Sequence, residues 1–142
     1  MHALRESRDA VVIVPTGHGK SLIHQLYACA NIGVGLCVVP TLGIMDDQLR
    51  FLNKSGILAV SLRSDWRLRQ DDVFKPSVKI LYTTPEWLFS NSKDDGSMSM
   101  DQEKKNFLHQ VHDRRKINIV TFDEAHLLCD WSTFFFFQSP LT

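Results

Sequence analysis

The segment Val14-Pro-Thr-Gly-His-Gly-Lys-Ser21 constrains this chain more than any other. It directly follows a β-branched run, Ala10-Val-Val-Ile-Val14, which reads as a buried strand, and it opens a helical pattern from about Lys20 to Ala30. Gly17 and Gly19 let backbone N–H groups turn inward and approach phosphate oxygens that any Cβ would block. The helix starting near Lys20 directs its positive dipole end at the same anion. Lys20 has the reach for β- and γ-phosphates, and the Ser21 hydroxyl suits Mg²⁺. The general phosphate-loop pattern has glycine where this chain has Val14, so the match is to its second half. The expected nucleotide-binding set is Pro15, Thr16, Gly17, His18, Gly19, Lys20 and Ser21. Of these, His18 at the loop apex reads as a tolerated surface residue.

Short apolar runs alternate with helical patterns along the rest of the chain. Leu36–Val39, Leu58–Leu62, Lys79–Thr83 and Lys116–Phe122 read as strands, and Asp46–Asn53 and Gln102–Arg115 as helices. Gly56 stands where a helix C-terminal cap belongs. Near-continuous apolar strands separated by helices predict a doubly wound α/β domain, a parallel sheet covered on both faces. Ser90–Met100 is small and polar, and reads as a mobile surface loop. On the last helix, Phe107, Leu108 and Val111 share one face; His109 and His112 have helical spacing but no third ligand, and are placed on a solvated face.

The 142 residues suit one domain, and 44% hydrophobic content fills a core. Sixteen basic and sixteen acidic residues give a net charge of zero, which excludes a strongly basic or acidic tail. Cys29, Cys37 and Cys129 form neither a disulfide framework nor a zinc cage, and are read as reduced thiols of an intracellular protein. No run reaches membrane-spanning length, and Arg5, Glu6, Arg8 and Asp9 are too charged for a signal peptide. The expectation is therefore no membrane association.

Phe122-Asp-Glu-Ala-His126 follows the last strand. An acidic pair at the carboxyl end of a buried strand is expensive unless something compensates its charge. Beside a phosphate loop that compensation is Mg²⁺, held by Asp123, while Glu124 orients and activates the attacking water. Taken alone, Asp123 would equally suit capping of a following helix. His126 is assigned a coupling role through hydrogen bonds, because hard Mg²⁺ prefers oxygen. Lys20, Asp123, Glu124 and His126 are the expected catalytic residues, and Ser21 and Asp123 the metal ligands.

Four segments in order resemble the first RecA-like domain of superfamily 2 helicases, and specifically the RecQ DNA helicase family. They are Pro15–Ser21 followed by Gln25-Leu26; Pro40-Thr-Leu-Gly-Ile-Met-Asp-Asp-Gln-Leu49; Thr83-Thr-Pro-Glu86; and Asp123-Glu-Ala-His126 with Trp131 five positions on. The resemblance implies a P-loop NTPase fold with ATP and Mg²⁺ as cofactors and single-stranded or partly duplex DNA as partner. It implies that Thr83, Thr84 and the Pro40–Gln48 turn, Gln48 included, contact strand phosphates, with Thr84-Pro85-Glu86 also a good helix start. Trp131 matches the family's aromatic-rich loop and would stack on a base or a neighbouring side chain. The family's Gln before that Trp is Asp130 here, and its Arg after the later Phe is Phe136.

Both ends read as cut. Residues 1–133 are expected to form a partial helicase ATP-binding domain and 134–142 a Phe-rich tail. The family's upstream adenine-reading Gln, its third motif, its second RecA-like domain with the arginine finger, and its zinc-bearing region have no counterpart in this sequence. The family likeness implies 3′-to-5′ unwinding by the whole protein and a nuclear location in a eukaryote. The chain alone is expected to bind nucleotide weakly and not to unwind. An RNA helicase of the D-E-A-D or D-E-A-H kind and a catalytically dead remnant are the competing expectations.

Overall fold

All five residues of Val34–Val38 are buried, as a strand enclosed on both edges and both faces must be. The computed structural model, which describes residues 9–124 other than Thr16, His18, 92–97, 100 and 101, builds the domain around this strand. In chain order the elements are α1 (Lys20–Ala30), β1 (Val34–Val38), α2 (Leu42–Lys54) and β2 (Leu58–Ser61). A 3₁₀ turn (Trp66–Arg69) leads into α3 (Gln70–Val73), β3 (Val78–Thr83) and α4 (Pro85–Leu88). Then come β4 (Ser90–Asn91), β5 (Met98–Ser99), α5 (Gln102–Arg115) and β6 (Ile117–Phe122). Four strands form a sheet in the order β2-β3-β1-β6. Every pairing in it is parallel, with Leu36 of β1 beside Leu81 on one side and Val120 on the other.

Strand alternation divides the core in two. Leu36 and Val38 face a cluster with Trp66, Val73, Trp87, Leu88 and, from α5, Phe107 and Val111. Cys37 and Val39 face the opposite cluster, with Ala28 of α1, Met45 and Leu52 of α2, and Ile80 and Tyr82 of β3. Helices therefore cover both faces, as the alternation of runs predicts. Each fully buried large apolar side chain contributes roughly 1.5–3 kcal/mol. On the first face three rings interlock: Trp66 lies 5.8 Å from Trp87 and 4.7 Å from Phe107.

Two contacts fix α1, which carries the phosphate-loop residues. Gly35 lets it approach the sheet, since a Cβ there would stand 2.8 Å from the Ala28 Cβ and 3.2 Å from the Ile119 Cγ2. Asn118 of β6 donates from Nδ2 to the carbonyls of Ala28 and Ile32 at 3.4 and 3.3 Å, satisfying the helix's C-terminal end. At the same amino end of the sheet Arg115, the last residue of α5, donates to the carbonyls of Val73, Lys75, Pro76 and Val78, fastening the turn that leads into β3.

The structure corrects three expectations. Residues 10–14 are not a buried strand: they carry no regular structure, and Val11 and Ile13 are 89% and 92% exposed. A β-branched run becomes a strand only against a neighbour's ladder, and among the described strands β6 closes that side of the sheet, pairing with β1 alone. Helix α2 starts at Leu42 rather than Asp46, because the Thr41 side chain accepts from the Ile44 N–H at 3.3 Å and caps it there. The polar stretch after α4 is not all loop, since Ser90–Asn91 pairs antiparallel with Met98–Ser99. The expected Phe-rich tail, 134–142, lies outside the described residues, as does Cys129.

Candidate functional site

The carboxyl ends of parallel strands and the start of α1 meet at one edge of the sheet, the usual place for a ligand in an open α/β sheet. Gly17 and Gly19 take φ values of 82° and 73°, a left-handed conformation that side chains resist. Gly19 is the N-cap of α1, yet no side chain caps that end and its first turn holds no acidic residue. Instead the helix opens with Lys20, a cation at the positive end of the dipole. That placement is unfavourable in itself and calls for an anion nearby.

The anions come from β6. The Asp123 N–H donates to the Val38 carbonyl at 2.9 Å, extending the sheet's pairing to the acidic pair. Lys20 Nζ then lies 3.0 Å from Glu124 Oε1, with the two side chains 26% and 28% exposed. Ser21 Oγ donates to Asp123 Oδ2 at 3.3 Å. The other oxygen, Asp123 Oδ1, accepts from the Glu124 N–H at 3.0 Å. Glu124 itself is held at φ 53°, a costly conformation for a residue with a Cβ. The turn aims both carboxylates at α1, and residues more than a hundred positions apart share one cluster.

Hard oxygen donors of this kind suit Mg²⁺. An uncapped helix N-terminus behind two left-handed glycines suits a polyphosphate. The residues present therefore fit a magnesium nucleotide.

Of the expected strand-contacting residues, Gln48 is half-buried on α2, and its Oε1 accepts from Gln25 Nε2 at 2.7 Å. Thr83 is fully buried and its hydroxyl donates to the Leu62 carbonyl at 3.3 Å. Thr84 is buried too and makes no side-chain cap for α4; its carbonyl accepts from Trp87 and Leu88. Pro15 is exposed in the irregular stretch before the glycines. Thr16, His18, His126 and Trp131 lie outside the described residues. His109 and His112 are exposed on α5. Sequence reasoning used Gln25 only for the family likeness and passed over His24 and Tyr82; the three are joined by hydrogen bonds beneath the site. The available signal was two polar residues one turn into α1 and a tyrosine in a mostly apolar strand.

The profile of the DEAD/DEAH box helicases matches residues 1–136. The chain belongs to that family. It is 29% identical over 136 residues to the ATP-dependent DNA helicase RecQ of Haemophilus influenzae, covering 92% of this chain and 20% of that protein. It is 33% identical over 138 residues to ATP-dependent DNA helicase Q-like 2 of Arabidopsis thaliana, covering 92% and 18%. With the ATP-dependent DNA helicase RecQ of a Synechocystis strain it shares 32% over 133 residues, covering 90% and 25%. The chain thus spans a quarter or less of the length of these relatives. The family's fold is the one observed here, a RecA-like parallel sheet with a phosphate loop opening a helix. No helix among the described residues is long and apolar enough to cross a membrane.

Proposed function

We propose that the chain is the nucleotide-binding part of a RecQ-type ATP-dependent DNA helicase. One observation carries the reading: Lys20 and Ser21 at the start of α1 meet Glu124 and Asp123 at the end of β6. Its relatives are named as DNA helicases, which favours DNA over RNA as the strand bound.

In this reading Lys20 exchanges its bond to Glu124 for the terminal phosphates, to which the ammonium donates charge-assisted hydrogen bonds. Ser21 and Asp123 would hold Mg²⁺, which supplies positive charge to the transferring phosphoryl group. Glu124, released from Lys20, accepts a proton from the attacking water. Gln48 lies at the surface where a single strand would pass, and Thr83 and Thr84 support that rim from beneath. His126 and Trp131 are proposed to couple the two events. Unwinding, its 3′-to-5′ direction and a nuclear location in a eukaryote are proposed for the whole protein, not for this part alone.

Calorimetric titration of the chain with ATP, in Mg²⁺ and in EDTA, tests the nucleotide reading. Weak, magnesium-dependent binding is expected, and binding indifferent to EDTA would overturn it. Salt-resolved anisotropy with oligo(dT) and oligo(U) tests the strand, and tighter binding of the RNA would overturn the choice of DNA.

A further inference from the structure

One group of buried polar side chains under the site has no part in the chemistry above. Lys20 and Ser21 open α1; one turn further along the helix, His24 and Gln25 are buried against the sheet. Tyr82 of β3, fully buried, places its hydroxyl between them. Gln25 Nε2 donates to the Tyr82 hydroxyl at 3.1 Å and to Gln48 Oε1 of α2 at 2.7 Å. His24 Nε2 lies 3.4 Å from the same hydroxyl. That hydroxyl accepts from Gln25 and keeps both a proton and a second lone pair, so His24 Nε2 accepts from it in one neutral tautomer and donates to it in the other. Burial, which holds the His24 pKa below its ordinary value against the pull of the Asp123 carboxylate, agrees with a neutral ring. Gln25 thus donates to Gln48 on one side and to Tyr82 on the other, and His24 meets the same Tyr82 hydroxyl.

Such a group is demanding, since a buried donor or acceptor left without its partner costs roughly 1–3 kcal/mol. Leucines in these places would fill the same space without that requirement. What the polar group adds is direction, because hydrogen bonds fix relative position where apolar contacts slide. It ties together three elements with distinct duties. Helix α1 carries the phosphate-facing Lys20 and Ser21, β3 runs directly into Thr83 and Thr84, and α2 carries Gln48. When Lys20 in the first turn of α1 trades Glu124 for phosphate, a shift of that helix pulls on Gln25 one turn below.

We propose that Gln25 is a positioning residue which, with Tyr82, links occupancy of the phosphate site on α1 to strand binding at the rim formed by α2 and the end of β3. The inference rests on the nucleotide and DNA reading given above, and concerns the route between the two sites.

Anisotropy of a labelled oligo(dT) on the 142-residue chain, without nucleotide and with saturating Mg²⁺ and a non-hydrolysable ATP analogue, gives a ratio of two Kd values. A ratio on the order of fivefold is expected for the parent chain. Gln25→Leu and Tyr82→Phe each bring it close to one, and the double variant does no more than either single, as members of one route must. Affinity for the nucleotide alone stays within about threefold, since neither side chain faces phosphate. That separates positioning from a general loss of structure. Tyr82→Phe removes one oxygen and keeps the ring, so it decides the matter if Gln25→Leu fails to fold. A parent ratio near one, or variants that keep the parent ratio, would overturn the route while leaving nucleotide binding standing. A parent chain that binds no nucleotide at all overturns the functional reading and the route together.

Discussion

Lys20 and Glu124 form an ion pair in which the two partners have opposite consequences for ligand affinity. A phosphate ligand must take Lys20 from Glu124, so the lysine is the receptor and the glutamate its competitor. Replacing Lys20 by Ala removes charge-assisted hydrogen bonds worth roughly 1.5–3 kcal/mol, which weakens magnesium–ATP binding roughly 10- to 150-fold. Replacing Glu124 by Gln removes the competitor. The pair is partly exposed, at 26% and 28%, so its worth is about 0.2–1 kcal/mol, and affinity rises by roughly 1.4- to fivefold. Neither change should shift stability by more than about 1 kcal/mol, the upper worth of the pair. In Lys20→Ala the lost pair is offset by removing a cation from the positive end of α1. Fluorescence titration with a labelled ATP analogue in Mg²⁺ reads both affinities, and urea melts check the fold. The reasoning fails if the two substitutions move affinity in the same direction, or if Lys20→Ala stays within about twofold of the parent chain.

Phe107→Ala, which removes one ring from the three-ring cluster around Trp66, should cost about 3–5 kcal/mol by urea melt, and a loss under about 1 kcal/mol would contradict the packing described. His24 is held neutral by burial below its ordinary value of 6.5, so the unfolded chain takes up the proton more readily. Stability is then full above pH 6.5 and falls as the pH drops below it, a slope that His24→Gln removes from urea midpoints measured between about pH 7.5 and about 5.5. An unchanged slope in that variant would refute the assignment. Burial pushes the Cys37 thiol up to about 12, so iodoacetamide at about pH 8 should label Cys29 well before Cys37 in the folded chain, and both in urea. Equal rates in the folded chain would speak against this burial.

Val34–Val38 and Val78–Thr83 are legible because a parallel strand buried on both faces is mostly apolar, and they begin and end within two residues of the runs that predict them; Ile117–Phe122 matches its run as closely although it is only partly buried. Ala10–Val14 shows the limit of that logic. Its composition specifies what the segment suits, whereas pairing depends on which edge lies alongside, and that is a property of the whole sheet. The start of α2 is set by the Thr41 cap, a local signal that lies ahead of the helical pattern over Asp46–Asn53. At the site, the phosphate loop and the acidic pair are local and were readable. The bond between Lys20 and Glu124 was not, since it depends on β6 lying next to β1. Nor was the Gln25–Tyr82 contact, whose members are 57 positions apart.

The strand order carries a consequence for how the chain is made. Among the described strands β1 has neighbours only in β3 and β6, and β2 only in β3, so both earlier strands leave the ribosome before either of these partners is made. Val78–Thr83 is the keystone: until it emerges, the apolar runs around residues 34 and 58 wait exposed, the interval in which nascent chains are most open to chaperones and to one another. A rare-codon pause just ahead of residue 78 would lengthen that wait, and the same pause placed after residue 83 would cost far less.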